Sequence, residues 1–186
     1  MSDTKRQLGF WKIAFLYGVP AGLLIIGMMM TSYKLFGMKS GASSMAVGFL
    51  LMLIFMSLIF FGLKRFRDHE QGGVIKFSKA LGLTLATAIF TSLTYMLVWE
   101  IYVSFFSGNE FMVEYTNLLI EKKAASGVTG DALAAFVEKT EKMKADYARR
   151  IYRMPMTFLE NFSMGFIVAV VSALVLHNPK FWARSV

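Results

Sequence analysis

"YMLVWEIYVSFF", Tyr95 to Phe106, is an apolar, aromatic run that carries one carboxylate, Glu100. Water tolerates a charge there and hydrocarbon does not, so the surroundings of this run decide the fold. Just before it, Lys79 to Glu100 encloses 20 residues without a charge. The same holds for 21 residues between Lys12 and Lys34, 24 between Lys39 and Lys64, and 19 between Glu160 and Lys180. About 20 apolar residues, rising 1.5 Å each as a helix, match a hydrocarbon core of roughly 30 Å. The pattern predicts membrane spans at about 11–33, 45–63, 81–106 and 156–176. A soluble chain of this length could not cover four wholly apolar helices. The fold class is therefore all-α: a single polytopic membrane domain over residues 1–186.

Composition agrees. Hydrophobic residues make up 56% of the chain and charged ones 17%, against about 25% in ordinary soluble domains. The first span is too long for a cleavable signal core and reads as a retained anchor. With no cysteine, disulfides, thiolate metal sites and palmitoylation are excluded. The net charge of +8 could signal nucleic acid. Its bases, however, crowd the span ends at Lys64, Arg65, Arg67, Lys76 and Lys79, without interleaved stacking aromatics. They fit anionic headgroups and orientation, so the bilayer is the expected partner and nucleic acid is not.

The basic loop between spans two and three places that loop and both termini in the cytoplasm. The segment 107–155 then lies outside. Within it, "YTNLLIEKKAASG" extends the helix of span three, and Gly127 to Gly130 makes a turn. Thr129 is placed to cap the next helix through its hydroxyl. In "DALAAFVEKTEKMKADYARRIY" apolar residues recur at helical spacing. The segment reads as an extracytoplasmic helical hairpin that ends, or kinks into span four, at Pro155.

Glu100 follows Leu81 by 19 residues, roughly 28 Å of helix, so it reaches the outer boundary of span three. Tyr95, Trp99 and Tyr102 are the rings that gather at headgroup level. Glu160 enters span four from the same side and is read at the same depth. Arg149, Arg150 and Arg153 lie just outside, and the five form an expected charge cluster at the outer collar. The functional reading makes Glu100 or Glu160 a proton or cation site. Thr84, Thr87, Thr91 and Thr94 share one helix face, yet Glu100 points about 160° from Thr84, which is poor geometry for a proton wire. The stripe is a packing seam instead. Gly18-x-x-x-Gly22 and Gly165-x-x-x-Ala169-x-x-x-Ala173 allow the same close approach. Gly72 and Gly73 free the backbone for a turn before Ile75 and Phe77 re-enter the interface as a half-helix with Lys76 and Lys79 at headgroup level.

Methionines abound, as at Met28 to Met30 and at Met154 and Met156. Thioethers bind copper(I), but no histidine or cysteine joins them on the outer face, and packing is the simpler reading. No metal site, cofactor or catalytic constellation stands out.

The Gly72-Gly73, Ile75, Phe77 and Ala80 stretch, "IEKKAASG", and "MTFLENF" opening span four resemble a bacterial membrane family catalogued as domain-of-unknown-function family 4199. The resemblance implies a four-span bacterial inner-membrane protein and carries over no activity. Two functions remain. One is a non-enzymatic scaffold or accessory subunit acting through its spans and hairpin, with a second copy or a membrane protein as partner. The other is a small oligomeric transporter or channel using Glu100 or Glu160.

Overall fold

The computed structural model describes residues 9–37, 45–107 and 110–182. Among these the regular elements are helices: α1 (Phe10–Phe36), α2 (Met45–Arg65), α3 (Phe77–Tyr102), α4 (Glu110–Ala125), α5 (Gly130–Ala148) and α6 (Arg150–Leu176). Single π-helical turns, Phe66–Glu70 and Val103–Ser107, extend α2 and α3. Four helical segments are long and apolar enough to cross a membrane: Phe10–Phe36, Gly48–Glu70, Phe77–Phe106 and Arg150–Leu176. Their outward faces carry Phe15, Leu23, Leu53, Ile54, Leu97, Ile101, Ile167 and Val171, all exposed. An apolar exterior of that extent requires an apolar solvent.

α3 is the hub, packed most extensively against α1 and α6, while α2 bridges α1 and α6. The α1–α3 seam is backbone-close. A Cβ on Gly18 would stand 2.6 Å from Thr87 O, and one on Gly22 2.6 Å from Thr91 O. Thr87 and Thr91 are buried there, and their hydroxyls bond back to Leu83 O and Thr87 O. Thr94 completes the stripe, its Cβ 2.8 Å from the position a Gly22 Cβ would take. On the α3–α6 side, Gly165 abuts Ala88, Ala169 and Ala173 are fully buried, and the Thr84 hydroxyl reaches Ala169 O at 3.1 Å. Small side chains thus set both close approaches.

The two ends of the bundle differ. At the near end, which holds Phe10 and Trp182, an apolar core of Ile13, Leu63, Phe66, Ile75, Leu83 and Leu176 is sealed. At the far end α4 and α5 lie against each other, joined by the turn at 126–129. Phe111 of α4 packs on Trp99 of α3, and the Tyr33 hydroxyl donates to Glu114 at 2.6 Å.

Several boundaries differ from the sequence reading. Span three begins at Phe77, not Leu81. Val74 to Lys76 are not helical, so there is no interfacial half-helix before it. Gly72 and Gly73, at φ 65° and 89°, make a turn that L side chains resist, and Gly73 N closes it on Arg67 O at 2.8 Å. That turn drives Ile75 into the protein core, while Val74 and Phe77 stay exposed. Pro155 lies inside α6; the break falls earlier, at Arg149, whose ψ of 120° interrupts the helical path. Thr129 occupies the N-cap position of α5 without a side-chain cap bond, the next residue, Gly130, being left-handed at φ 61°. The continuation of span three into "YTNLLIEKKAASG" crosses residues 108–109, which lie outside the described residues.

Candidate functional site

All six helices meet at the far end around an open cavity of about 1060 Å³. α1 contributes Met28, Met29 and Tyr33, and α2 contributes Phe49, Met52 and Phe55. Tyr95 and Trp99 of α3 form the back wall, and Met156, Thr157, Glu160 and Ser163 of α6 the side. α4 and α5 roof it with Phe111, Leu118, Leu119, Met143 and Tyr147. Several wall positions are small (Gly48, Ser32, Thr157 and Ser163), which leaves room for the space. The methionine walls are flexible and polarizable, suited to varied apolar shapes. The cavity does not run through the protein. One and two turns further along α2, Met56 and Ile59 are fully buried against Ile25 and Ala88.

The polar groups among the described wall residues are mostly hydroxyls. The Tyr95 hydroxyl donates to Met29 Sδ at 2.7 Å, and Trp99 Nε1 donates to the Tyr147 hydroxyl at 2.6 Å. Burial holds that Tyr147 hydroxyl above the ordinary tyrosine range, so it remains a neutral donor and acceptor. Among the described residues, Lys122, in the last turn of α4, and Glu160 are the charged residues of the lining.

The structure divides the expected collar cluster. Glu100 and Arg153 form a bidentate pair, Nε to Oε2 at 2.8 Å and Nη2 to Oε1 at 2.7 Å. Arg150 Nε joins at 2.9 Å from the exposed side, and Ser104 donates to Oε1 at 2.9 Å. Two fixed forks make this a tie between α3 and α6. Arg149 is not part of it; its guanidinium lies 4.8 Å over the Tyr152 ring. Glu160 is not part of it either. It follows Arg153 by seven residues, so it sits about 10 Å deeper on the same helix face. Counting from the apolar stretch put it level with Glu100 because the helix start at Arg150 is not visible in hydropathy. Its neighbour Asn161 is fully buried and takes a hydrogen bond from Ser92 at 3.2 Å, which fixes that level mid-way along α3. Among the described residues Asn161 Nδ2 is a buried donor without a partner.

At the near end the structure shows a site that the sequence reading missed. Arg67, read as a headgroup-facing base, is fully buried. It donates to Phe181 O and Trp182 O at 2.9 Å each and to Leu176 O at 3.3 Å. Asp68 balances it at 2.7 Å and also receives Lys64 at 2.6 Å. The guanidinium takes one carbonyl at the C-terminus of α6, where positive charge is favoured, and two from the turn that follows it. The π-helical turn at Phe66–Glu70 turns it inward. No sequence spacing announces that turn.

Taken together, the architecture is that of a multi-pass helical membrane protein with a cavity confined to one half of its bundle. The chain matches the family model described as "Protein of unknown function (DUF4199)" over residues 16–178, and it belongs to that family. No curated protein and no solved structure matches it.

Proposed function

We propose that this is a non-enzymatic binding protein of a bacterial inner membrane that holds an apolar molecule in the outer half of its bundle. The observation that carries the reading is the 1060 Å³ cavity, open to one half of the bundle and walled by spans and helix pair alike. Its size and apolar, aromatic lining are those of small-molecule sites. In this reading both termini and the Gly72–Gly73 turn are cytoplasmic, supported by Lys64, Arg65, Lys76 and Lys79 at the near end. α4 and α5 are then an extracytoplasmic hairpin that roofs the site. Glu100 is an anchor, because two arginines already neutralise it. Native mass spectrometry of the protein released from mild detergent tests the proposal. Wild type should retain one small apolar adduct, and Ser163→Trp, which fills the cavity, should lose it. Equal, bare masses for both would refute it.

An accessory role with a protein partner is favoured by one further observation. Phe105, Phe106 and Ile151 are 77%, 78% and 74% exposed at the far end. A photocrosslinker at Ile151 should capture a protein neighbour; capture of lipid alone would exclude that role.

A further inference from the structure

Glu160 has no hydrogen bond or ion pair among the described residues, although Arg150 and Arg153 lie on the same helix within ten residues. The nearest in depth, Arg153, is committed to Glu100 about two turns outward. Glu160 therefore presents an unpaired carboxylate to a cavity whose other described walls are mostly apolar or aromatic. Tyr95 and Tyr147 line the same cavity as Glu160. Lys122, the other charged residue of the described lining, belongs to the roof helix α4.

An ionised carboxylate at that depth is costly unless a cation meets it. A neutral ligand would leave the carboxylate unpaired, and an anionic one would be repelled. Among the described lining residues a small hydrated metal ion would find no second carboxylate and no histidine. The rings of Tyr95, Trp99, Phe111, Tyr115 and Tyr147 line the cavity, and aromatic walls offer what a weakly hydrated organic cation uses, attraction to aromatic quadrupoles together with apolar contact. We propose that the cavity takes an amphipathic organic cation, a protonated amine or an onium group on an apolar frame, with its charge paired to Glu160. This rests on the cavity being a binding site and names the class of ligand.

Titration calorimetry with tetraphenylphosphonium on the full chain in phosphatidylcholine nanodiscs tests it. Triphenylphosphine oxide, of similar shape and uncharged, is the comparison. Wild type should bind the phosphonium saturably, and Glu160→Gln should bind it at least tenfold more weakly. The oxide should bind wild type and Glu160→Gln alike, and Ser163→Trp should bind neither. Equal phosphonium affinity in wild type and Glu160→Gln, or no saturable phosphonium binding in wild type, overturns the proposal. If the oxide still binds wild type and is lost in Ser163→Trp, the cavity reading stands and only the cation assignment falls. Loss of both ligands in wild type, with bare protein in the mass spectrometer, sinks both. Unfolding curves confirm that Glu160→Gln is folded, since it removes a charge from an apolar layer.

Discussion

Substituting glycines along α1 tests the packing of the bundle with its own internal control. Gly18→Ala and Gly22→Ala each place a Cβ 2.6 Å from a backbone carbonyl oxygen of α3. Real Cβ contacts begin at 3.0 Å, so the seam must open by at least 0.4 Å (3.0 − 2.6), and neither obstacle is the free end of a side chain. Opening it loosens dispersion contacts along both helices. Overpacking of this kind costs about 1–3 kcal/mol. Alanine also favours helix over glycine by up to about 1 kcal/mol, which partly hides that cost. Gly27→Ala isolates this gain, because nothing lies within 4 Å of a Cβ there. Measured by denaturant titration in detergent with tryptophan fluorescence, both seam variants should unfold about 1–3 kcal/mol more easily than Gly27→Ala. The double variant should fall short of the sum, since one displacement of α1 relieves both clashes. Equal effects at Gly18, Gly22 and Gly27, or full additivity, would show that α1 does not sit on the α3 backbone.

Arg67→Met removes the carbonyl bonds at the end of α6 and strips Asp68 of one cation; a loss of about 3–5 kcal/mol is expected, with Arg67→Lys recovering only part of it in the same titration. A cycle of Glu100→Gln and Arg153→Met should return a coupling of about 1.5–3 kcal/mol, measured as unfolding free energies. Zero coupling would mean that the tie between α3 and α6 is absent. Tyr147 gives the pH dependence. Its hydroxyl is held above the ordinary value near 10, so the stability it confers is complete below about pH 10 and is lost as pH rises through the higher folded value. The stability gap between wild type and Tyr147→Phe should therefore be flat at neutral pH and shrink only in strong alkali.

What the sequence reveals depends on the dimension of the signal. Charge-free stretches report span number and length because bilayer thickness and helix rise are fixed quantities. The small residues at Gly18, Gly22, Thr84 to Thr94 and Gly165 to Ala173 are a pattern along one helix; which helix each one meets is not written in that pattern. Glu100 and Arg153 are 53 residues apart, so only the fold shows that their forks align. Arg67 was hidden for a different reason. A base beside a span is ordinary, and a single π-helical turn reverses its direction from headgroups to core. The depth of Glu160 depended on a helix start at Arg150, in a polar segment where hydropathy carries no boundary. The cavity is a void between elements, assembled from Gly48, Ser32, Thr157 and Ser163 on three different helices.

The chain has no cysteine, so a single introduced one is a unique reporter. Ser126→Cys, in the turn after α4, and Ser78→Cys, at the start of α3, sit at opposite ends of the bundle and are exposed. Intact cells treated with a membrane-impermeant maleimide should label Ser126→Cys at once and Ser78→Cys only after lysis. Labelling of both from one side, or recovery of either protein in the soluble fraction without detergent, would contradict a bundle that crosses the membrane with its cavity facing outward.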